Sequence, residues 1–311
     1  MNENCQRDPL PVSVVIPVYN NASGAKSALW SVLNQTLKPM EIIIVDDASA
    51  TPLALSDILP DRTSLNIFAA NPPVHIVRHP GNLGAAQARN TGIEKAVSEF
   101  IAFLDSDDTW HPEKLAIHMA HILKADSQAE LKHPVAYVTG FKITGGQGLG
   151  SRSGGRNLVP APALTVQDFA SGCWYCPGST MIMRKDALAG IGAYCSQLRR
   201  FEDIDLGLRI GYAGGHVDVC PGILSLINVE RSRSAALPVA DVNLLLALHT
   251  QHLAALSRSH LRRFRSYLAL ELAAQAWRRS EFAAFAWFMT KSLYLKPRLS
   301  AHLGQFWREA A

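Results

Sequence analysis

Long hydrophobic runs are missing from this 311-residue chain. The longest candidates, such as Phe282 to Met289, are short and flanked by charge, well below the ~20 apolar residues that span a bilayer. The first ten residues are polar and carry no apolar h-region, so no secretory signal is expected. Cysteine is scarce: Cys5, Cys173, Cys176, Cys195 and Cys220. An odd, sparse set over this length does not make a disulfide framework and points to a reducing compartment. Strong net charge is also absent; a balance of +4 is too mild to argue for a nucleic-acid partner. No internal repeat is visible. The expectation is a cytoplasmic, soluble protein, attached at most to a membrane surface at its inner face.

What is present is a core. Hydrophobic residues make up 48% and charged residues 18%, the balance of a globular protein. Val12 to Ile16, Glu41 to Val45, His75 to Arg78 and Phe100 to Leu104 read as strands. Helical patterns separate them: Ala25 to Leu33 with Ser23 as the expected cap, Asn90 to Val97, and Pro112 to Leu123. Apolar strands alternating with helices predict an α/β fold with a mostly parallel sheet flanked by helices. Val135 to Gly140, Thr180 to Arg184 and His216 to Val219 read as further strands, with a helix over Asp203 to Tyr212. Gly145 to Gly155 is glycine- and serine-rich and reads as a loop. From Asp241 strand signals vanish. The expected organisation is a tail over 1–9, an α/β domain over 10–235, and a helical extension over 241–311. The domain divides into halves over 10–125 and 126–235.

Acidic residues gather after the strands. Asp105-Ser106-Asp107-Asp108 puts three carboxylates in four residues, an arrangement that is costly without a cation. Hard oxygen ligands of this kind suit Mg²⁺ or Mn²⁺, which bind through one or two carboxylates plus phosphate oxygens of a substrate. The bland reading is an Asp-rich turn capping the next helix. Asp46-Asp47-Ala48-Ser49 repeats the pattern, and there an ordinary capping turn is the better reading of the motif alone. Ligands of open α/β sheets bind at the carboxyl ends of the strands, which gathers Tyr19-Asn20, Asp46-Asp47 and Asp105 to Asp108 into one predicted site.

The stretch Val12 to Leu115 resembles the nucleotide-binding half of family 2 glycosyltransferases, inverting enzymes with a GT-A fold. The resemblance is carried by Val14-Val15-Ile16-Pro17-Val18-Tyr19-Asn20, Ser31-Val32-Leu33-Asn34-Gln35-Thr36 and Glu41-Ile42-Ile43-Ile44-Val45-Asp46-Asp47-Ala48-Ser49. It continues through Gly81-Asn82-Leu83-Gly84, Ala88-Arg89-Asn90 and Phe103-Leu104-Asp105-Ser106-Asp107-Asp108. It extends more loosely to about Ser234. It implies a Rossmann-like GT-A fold and transfer of a sugar from a nucleotide sugar, a UDP-sugar by the family pattern. The acceptor would be a hydroxyl of a cell-surface polysaccharide or glycolipid.

The resemblance also implies roles. Pro17, Tyr19 and Asp47 would hold the base, with Asn20 and Asp46 beside them. Asn82, Gly84 and Arg89 would line the nucleotide pocket. Asp105 and Ser106 would meet the nucleotide, and Asp107 would be the main ligand of Mn²⁺ or Mg²⁺. Glu202-Asp203 is similar to the family's Glu-Asp motif, in which Asp203 is the catalytic base; both acids are also what a helix N-terminus favours. Trp174, Gly178 and Ser179 would face the sugars. The family's His near the end of the catalytic domain has no counterpart in Asn228 to Ser234, where Arg231 or Arg233 either neutralises diphosphate instead or belongs to a solvated charge run.

Other features carry less. Cys173-Trp174-Tyr175-Cys176 is open to a redox reading or, with Cys195 and Cys220, to zinc; free thiols beside the acceptor loop are the simpler reading. His118 and His121 read as ordinary helix histidines, at the surface or partly buried, rather than as ligands. The basic, aromatic tail, with Arg258, Arg262, Arg263, Arg265, Trp277, Trp287 and Tyr294, fits either peripheral contact with anionic lipid or packing on the α/β domain. The competing function is a non-catalytic nucleotide-sugar-binding scaffold of the same fold; loss of Asp107 or Asp203 would favour it, and both are present. Nucleotidyltransferases and dinucleotide-dependent oxidoreductases are disfavoured because no Gly-rich phosphate loop follows a strand.

Overall fold

The computed structural model describes residues 10–59, 72–127, 133–144, 156–170, 178–228, 236–296 and 307–309. In chain order the elements are β1 (Leu10–Val18), α1 (Ala22–Leu33), β2 (Pro39–Asp46), α2 (Leu55–Ile58), β3 (Val74–Arg78), α3 (Ala85–Lys95), β4 (Phe100–Phe103), β5 (Thr109–Trp110) and α4 (Lys114–Asp126). There follow β6 (Val135–Thr144), β7 (Arg156–Pro160), α5 (Val166–Phe169), β8 (Met181–Arg184), α6 (Lys185–Gly190), α7 (Glu202–Tyr212) and β9 (His216–Asn228). The chain then becomes helical, with α8 (Val239–Leu248), α9 (Thr250–Ala254), α10 (Arg258–Arg278) and α11 (Phe282–Leu295), before a last strand, β10 (Trp307–Glu309).

One sheet unites the strands in the order β10-β7-β6-β8-β4-β1-β2-β3, with β9 beside β6 and β5 beside β9. The half formed by β4, β1, β2 and β3 is wholly parallel, with Val15 opposite both Ile43 and Phe103. The other half is mixed. β8 runs antiparallel to both β4 and β6, and β9 runs parallel to β6.

Alternation along β1 explains the layers. Val12, Val14, Ile16 and Val18 face one side of the sheet and pack with Ala25, Leu29 and Val32 of α1 and Leu115, Met119 and Ile122 of α4. Val15 faces the other side, in a cluster with Ala88 and Ile93 of α3 and Leu206 and Ile210 of α7. Val242, Leu245, Phe264, Leu268 and Leu272 of the C-terminal helices belong to that second cluster. Burial on both faces is why β1, β2 and β4 read as unbroken apolar runs.

Three local expectations need correction. The cap of α1 is Asn21, whose Oδ1 accepts the Gly24 N–H at 3.1 Å; Ser23 lies inside the first turn. His118 is fully buried beside Lys114, 3.2 Å away, rather than at or near a helix surface. The chain is also not helical to its end, because β10 pairs antiparallel with β7.

Candidate active site

The topology brings the acidic loops together. β4, β1 and β2 are neighbours and parallel, so the segments after Phe103, Val18 and Asp46 emerge at one edge. Because β8 is antiparallel to β4, its leading turn, residues 178–180, reaches that same edge. A cleft of about 590 Å³ opens there, lined in part by Pro17, Tyr19, Asp47, Asp105, Asp107 and Asp203.

The 105–108 loop is braced from beneath. Ser179, fully buried, donates its hydroxyl to Asp108 Oδ2 and accepts the Asp105 N–H at 3.1 Å. The Asn228 N–H donates to Asp108 Oδ1 at 2.8 Å. Burial, and then the neighbouring Asp105, raises the Asp108 carboxyl to about 8. Asp107, by contrast, is exposed in the cleft. Gly178 is needed at the turn before β8: its φ is +65°, and a Cβ there would lie 2.9 Å from both Asp105 carboxylate oxygens.

The 46–49 loop is spent on architecture. Asp46 is fully buried and outside the cleft lining. Its Oδ1 accepts the Ser49 N–H at 2.9 Å, and its Oδ2 accepts the Leu53 N–H and the Arg78 guanidinium. Asp47 does line the cleft, but its oxygens accept the N–H groups of Leu83 and Gly84, each at 2.8 Å, while Oδ1 also meets His79 Nδ1 at 2.8 Å. Its carboxylate therefore fixes the 81–84 loop. Asn20 cross-braces the same region, accepting the Ala50 N–H at 2.8 Å.

The third constellation stands at the start of α7. Glu202 and Asp203 occupy its first turn, behind Phe201, whose backbone is left-handed at φ 67°. For a bulky residue this is a strained conformation, of the kind that accumulates at functional sites. Burial, then Glu202, pushes the Asp203 carboxyl well above the ordinary carboxylate range; Asp105 adds to the push and Arg89 opposes it. Buried Arg89 links two acidic groups from separate parts of the chain, donating to Glu202 Oε1 at 2.9 Å and to Asp105 Oδ1 at 2.8 Å. It also lies over the Tyr194 ring, 5.2 Å from its centroid.

Of the sequence-predicted residues, Pro17, Tyr19, Asp47, Asn82, Gly84, Arg89, Asp105, Ser106, Asp107, Glu202 and Asp203 share this cleft. Asp46, Asn20 and Ser179 do not line it; they support its walls. Trp174, Cys173, Cys176, Arg231 and Arg233 lie outside the described residues, as does the 145–155 loop. Sequence reasoning missed Asn21, Arg199, Arg200 and Asn228, which also line the cleft. Proximity of Arg199 and Arg200 to Glu202 in the chain was the available signal.

The donor set fits a divalent cation that leans on its substrate. Among the described residues, six carboxylates line the cleft against three guanidinium groups, from Arg89, Arg199 and Arg200. Among the described residues no cluster of three or more ligating side chains forms a closed cage. An exposed Asp107 beside Asp105 offers the one or two carboxylates that Mg²⁺ or Mn²⁺ uses when phosphate supplies the rest.

Comparison with known proteins agrees with this geometry. The model of glycosyl transferase family 2 matches residues 13–192. The chain belongs to that family. Among family 2 relatives, a pre-mycofactocin glycosyltransferase of Mycobacterium tuberculosis is 30% identical over 209 residues, 66% of this chain and 40% of the relative. The amylovoran biosynthesis glycosyltransferase AmsB of Erwinia amylovora is 27% identical over 65% of this chain and 64% of its own length. The chain thus spans less than two thirds of each of these curated relatives. Crystal structures of S. aureus TarS share the fold. TarS 1-349 superposes with a TM-score of 0.59 at 19% identity, covering 93% of this chain and 75% of that one. Its complex with UDP-GlcNAc gives 0.58 at 20% identity, covering 93% and 76%. The GT-A-like fold expected from the motifs is the fold found.

Proposed function

We propose that this family 2 chain transfers a sugar from a UDP-sugar to an acceptor hydroxyl of a polysaccharide or glycolipid, with inversion. The observation that carries the reading is the meeting of the 105–108 acidic loop and the buried Glu202-Asp203 pair in one cleft. The TarS complex with UDP-GlcNAc and the amylovoran biosynthesis relative support a nucleotide-sugar donor and a carbohydrate acceptor.

Asp203 takes the proton of the acceptor hydroxyl. The hydroxyl oxygen forms a bond to the anomeric carbon as the bond to the diphosphate breaks on the opposite face, and the electron pair leaves with UDP. A carboxyl raised by burial is suited to act as a base near neutral pH. Arg89 holds Asp105 and Glu202 in register, so that the nucleotide side and the acceptor side of the cleft keep one spacing. Asp107 would hold Mn²⁺ or Mg²⁺, which when bound supplies charge neutralisation for the departing diphosphate. Calorimetric titration of UDP into wild type and Asp107→Ala, with and without Mn²⁺, tests this. Metal-dependent binding that the substitution abolishes is expected; metal-independent binding in both proteins would contradict the metal's role.

The same reading places the enzyme at the inner face of a membrane. No described helix is long and apolar enough to cross one. α11 exposes Phe282, Trp287 and Tyr294, and α10 exposes Arg258, Arg262 and Arg265. On these two helices Glu271 is partly buried and Glu281, at the cap of α11, pairs with Arg279 at 2.7 Å. Exposed aromatics and exposed arginines on the same pair of helices favour anionic lipid. Sedimentation with phosphatidylglycerol vesicles but not phosphatidylcholine vesicles, weakened in Trp287→Ala, is the expected result.

A further inference from the structure

Among the described residues three arginines line the cleft, and two are already engaged. Arg89 is held by Asp105 and Glu202. Arg199 donates to the side-chain oxygen of Asn82 at 2.9 Å and to its main-chain carbonyl at 3.1 Å. Arg200 is exposed, and among the described residues its guanidinium has no hydrogen-bond or ion-pair partner. It is nevertheless held in place through its backbone. The N–H groups of Arg199 and Arg200 both donate to Oδ1 of Asp241, at 2.8 and 3.4 Å. Asp241 lies in the first turn of α8, on the C-terminal helices. Immediately after Arg200 the chain turns left-handed at Phe201 and enters α7 with Glu202 and Asp203.

An uncommitted guanidinium in an acid-rich cleft, positioned two residues before the acid pair, is placed for an anion. Guanidinium groups match phosphate oxygens in charge and fork geometry. Of the residues that the resemblance assigns to the base, Pro17 lies at the end of β1 and Tyr19 and Asp47 directly follow β1 and β2, whereas Arg200 stands beside the acids assigned to the reacting bond. The phosphate next to the sugar is the one at that end. We propose that Arg200 binds the β-phosphate of the nucleotide diphosphate, and that Asp241 is the positioning residue that holds Arg200 over the cleft. The inference rests on the nucleotide-sugar reading above. It makes the C-terminal helices part of the donor site.

The test is the preference for UDP over UMP, measured by calorimetry in Mn²⁺ on the full chain. Arg200→Gln is expected to weaken UDP roughly tenfold to a hundredfold, the range for one charge-assisted hydrogen-bonding group, while leaving UMP within about threefold. Arg200→Lys should restore part of the preference. Asp241→Asn should reduce it in the same direction and by less, a change that loss of fold alone would not produce because UMP binding persists. A wild type that binds UDP, together with an Arg200→Gln variant of unchanged UDP-to-UMP preference, would overturn this inference alone. A wild type that binds neither nucleotide would overturn the nucleotide-sugar reading and this inference with it.

Discussion

The two acidic loops at the sheet edge look alike in sequence and differ in use. In the 46–49 loop, Asp46 and Asp47 are buried and their oxygens accept N–H groups of Ser49, Leu53, Leu83 and Gly84. In the 105–108 loop Asp108 is buried and held by Ser179 and Asn228, whereas Asp107 is exposed in the cleft. A strand-end carboxylate becomes architecture when it is buried under converging donors, and stays open to the cleft when it is exposed. Position at the carboxyl edge gathers these acids at the site, and burial separates the architectural ones from the exposed one.

The contrast can be broken most severely at Arg89, the buried link between the two sides of the cleft. Arg89→Met leaves Asp105 and Glu202 facing each other without compensation. The expected loss is roughly 3–5 kcal/mol of stability, the range for breaking a buried pair by removing one partner, read by denaturant titration. Asp47→Asn comes next. It should cost roughly 1.5–3 kcal/mol, because a charged acceptor of two N–H groups is lost, and it should weaken UDP binding by loosening the 81–84 loop. Asp107→Ala sharpens the comparison from the other side: apo stability should move by no more than about 0.5 kcal/mol, as for surface sites, while Mn²⁺-dependent UDP binding disappears. Equal destabilisation by Asp47→Asn and Asp107→Ala would erase the distinction.

Much of this was legible in the chain. The parallel half was readable because strands buried on both faces appear as unbroken apolar runs, and its acids follow directly. The mixed half was not. β9 was expected only over His216 to Val219, yet it runs on to Asn228 through Pro221 and Gly222. Register shifts around Gly140 of β6 absorb that interruption, a bulge that no local pattern announces. β5 has two residues, too few for any periodicity. Within the site, Asp203 and Asp107 were readable from motif. The structural use of Asp46 was not, since it depends on which backbone groups the fold brings to it. Asp241 was invisible for the same reason: it meets Arg199 across some forty residues of chain.

pH offers a smaller and more specific check. As the proposed base Asp203 has to be ionised to accept a proton, and burial with Glu202 raises its pKa. Activity should therefore fall as pH drops through a value above the ordinary carboxylate range, and rise to a plateau above it. In kcat/KM against pH, an acid limb at ~4, the ordinary carboxylate value, would contradict the raised pKa. The stability effect has the opposite sign: because the folded state holds this proton more tightly than the unfolded chain, ionising Asp203 costs stability as pH rises.

If Asp203 is the base in a cleft that binds a nucleotide sugar independently of it, catalysis and nucleotide binding separate on substitution. UDP release from a panel of UDP-sugars with acceptor present, measured beside UDP affinity on wild type and Asp203→Asn, tests it most directly. The prediction is a kcat lower by roughly 10²–10⁴ with UDP affinity within a few-fold of wild type. Turnover at the wild-type rate in Asp203→Asn, or a wild type that binds UDP and turns over no donor, would contradict it.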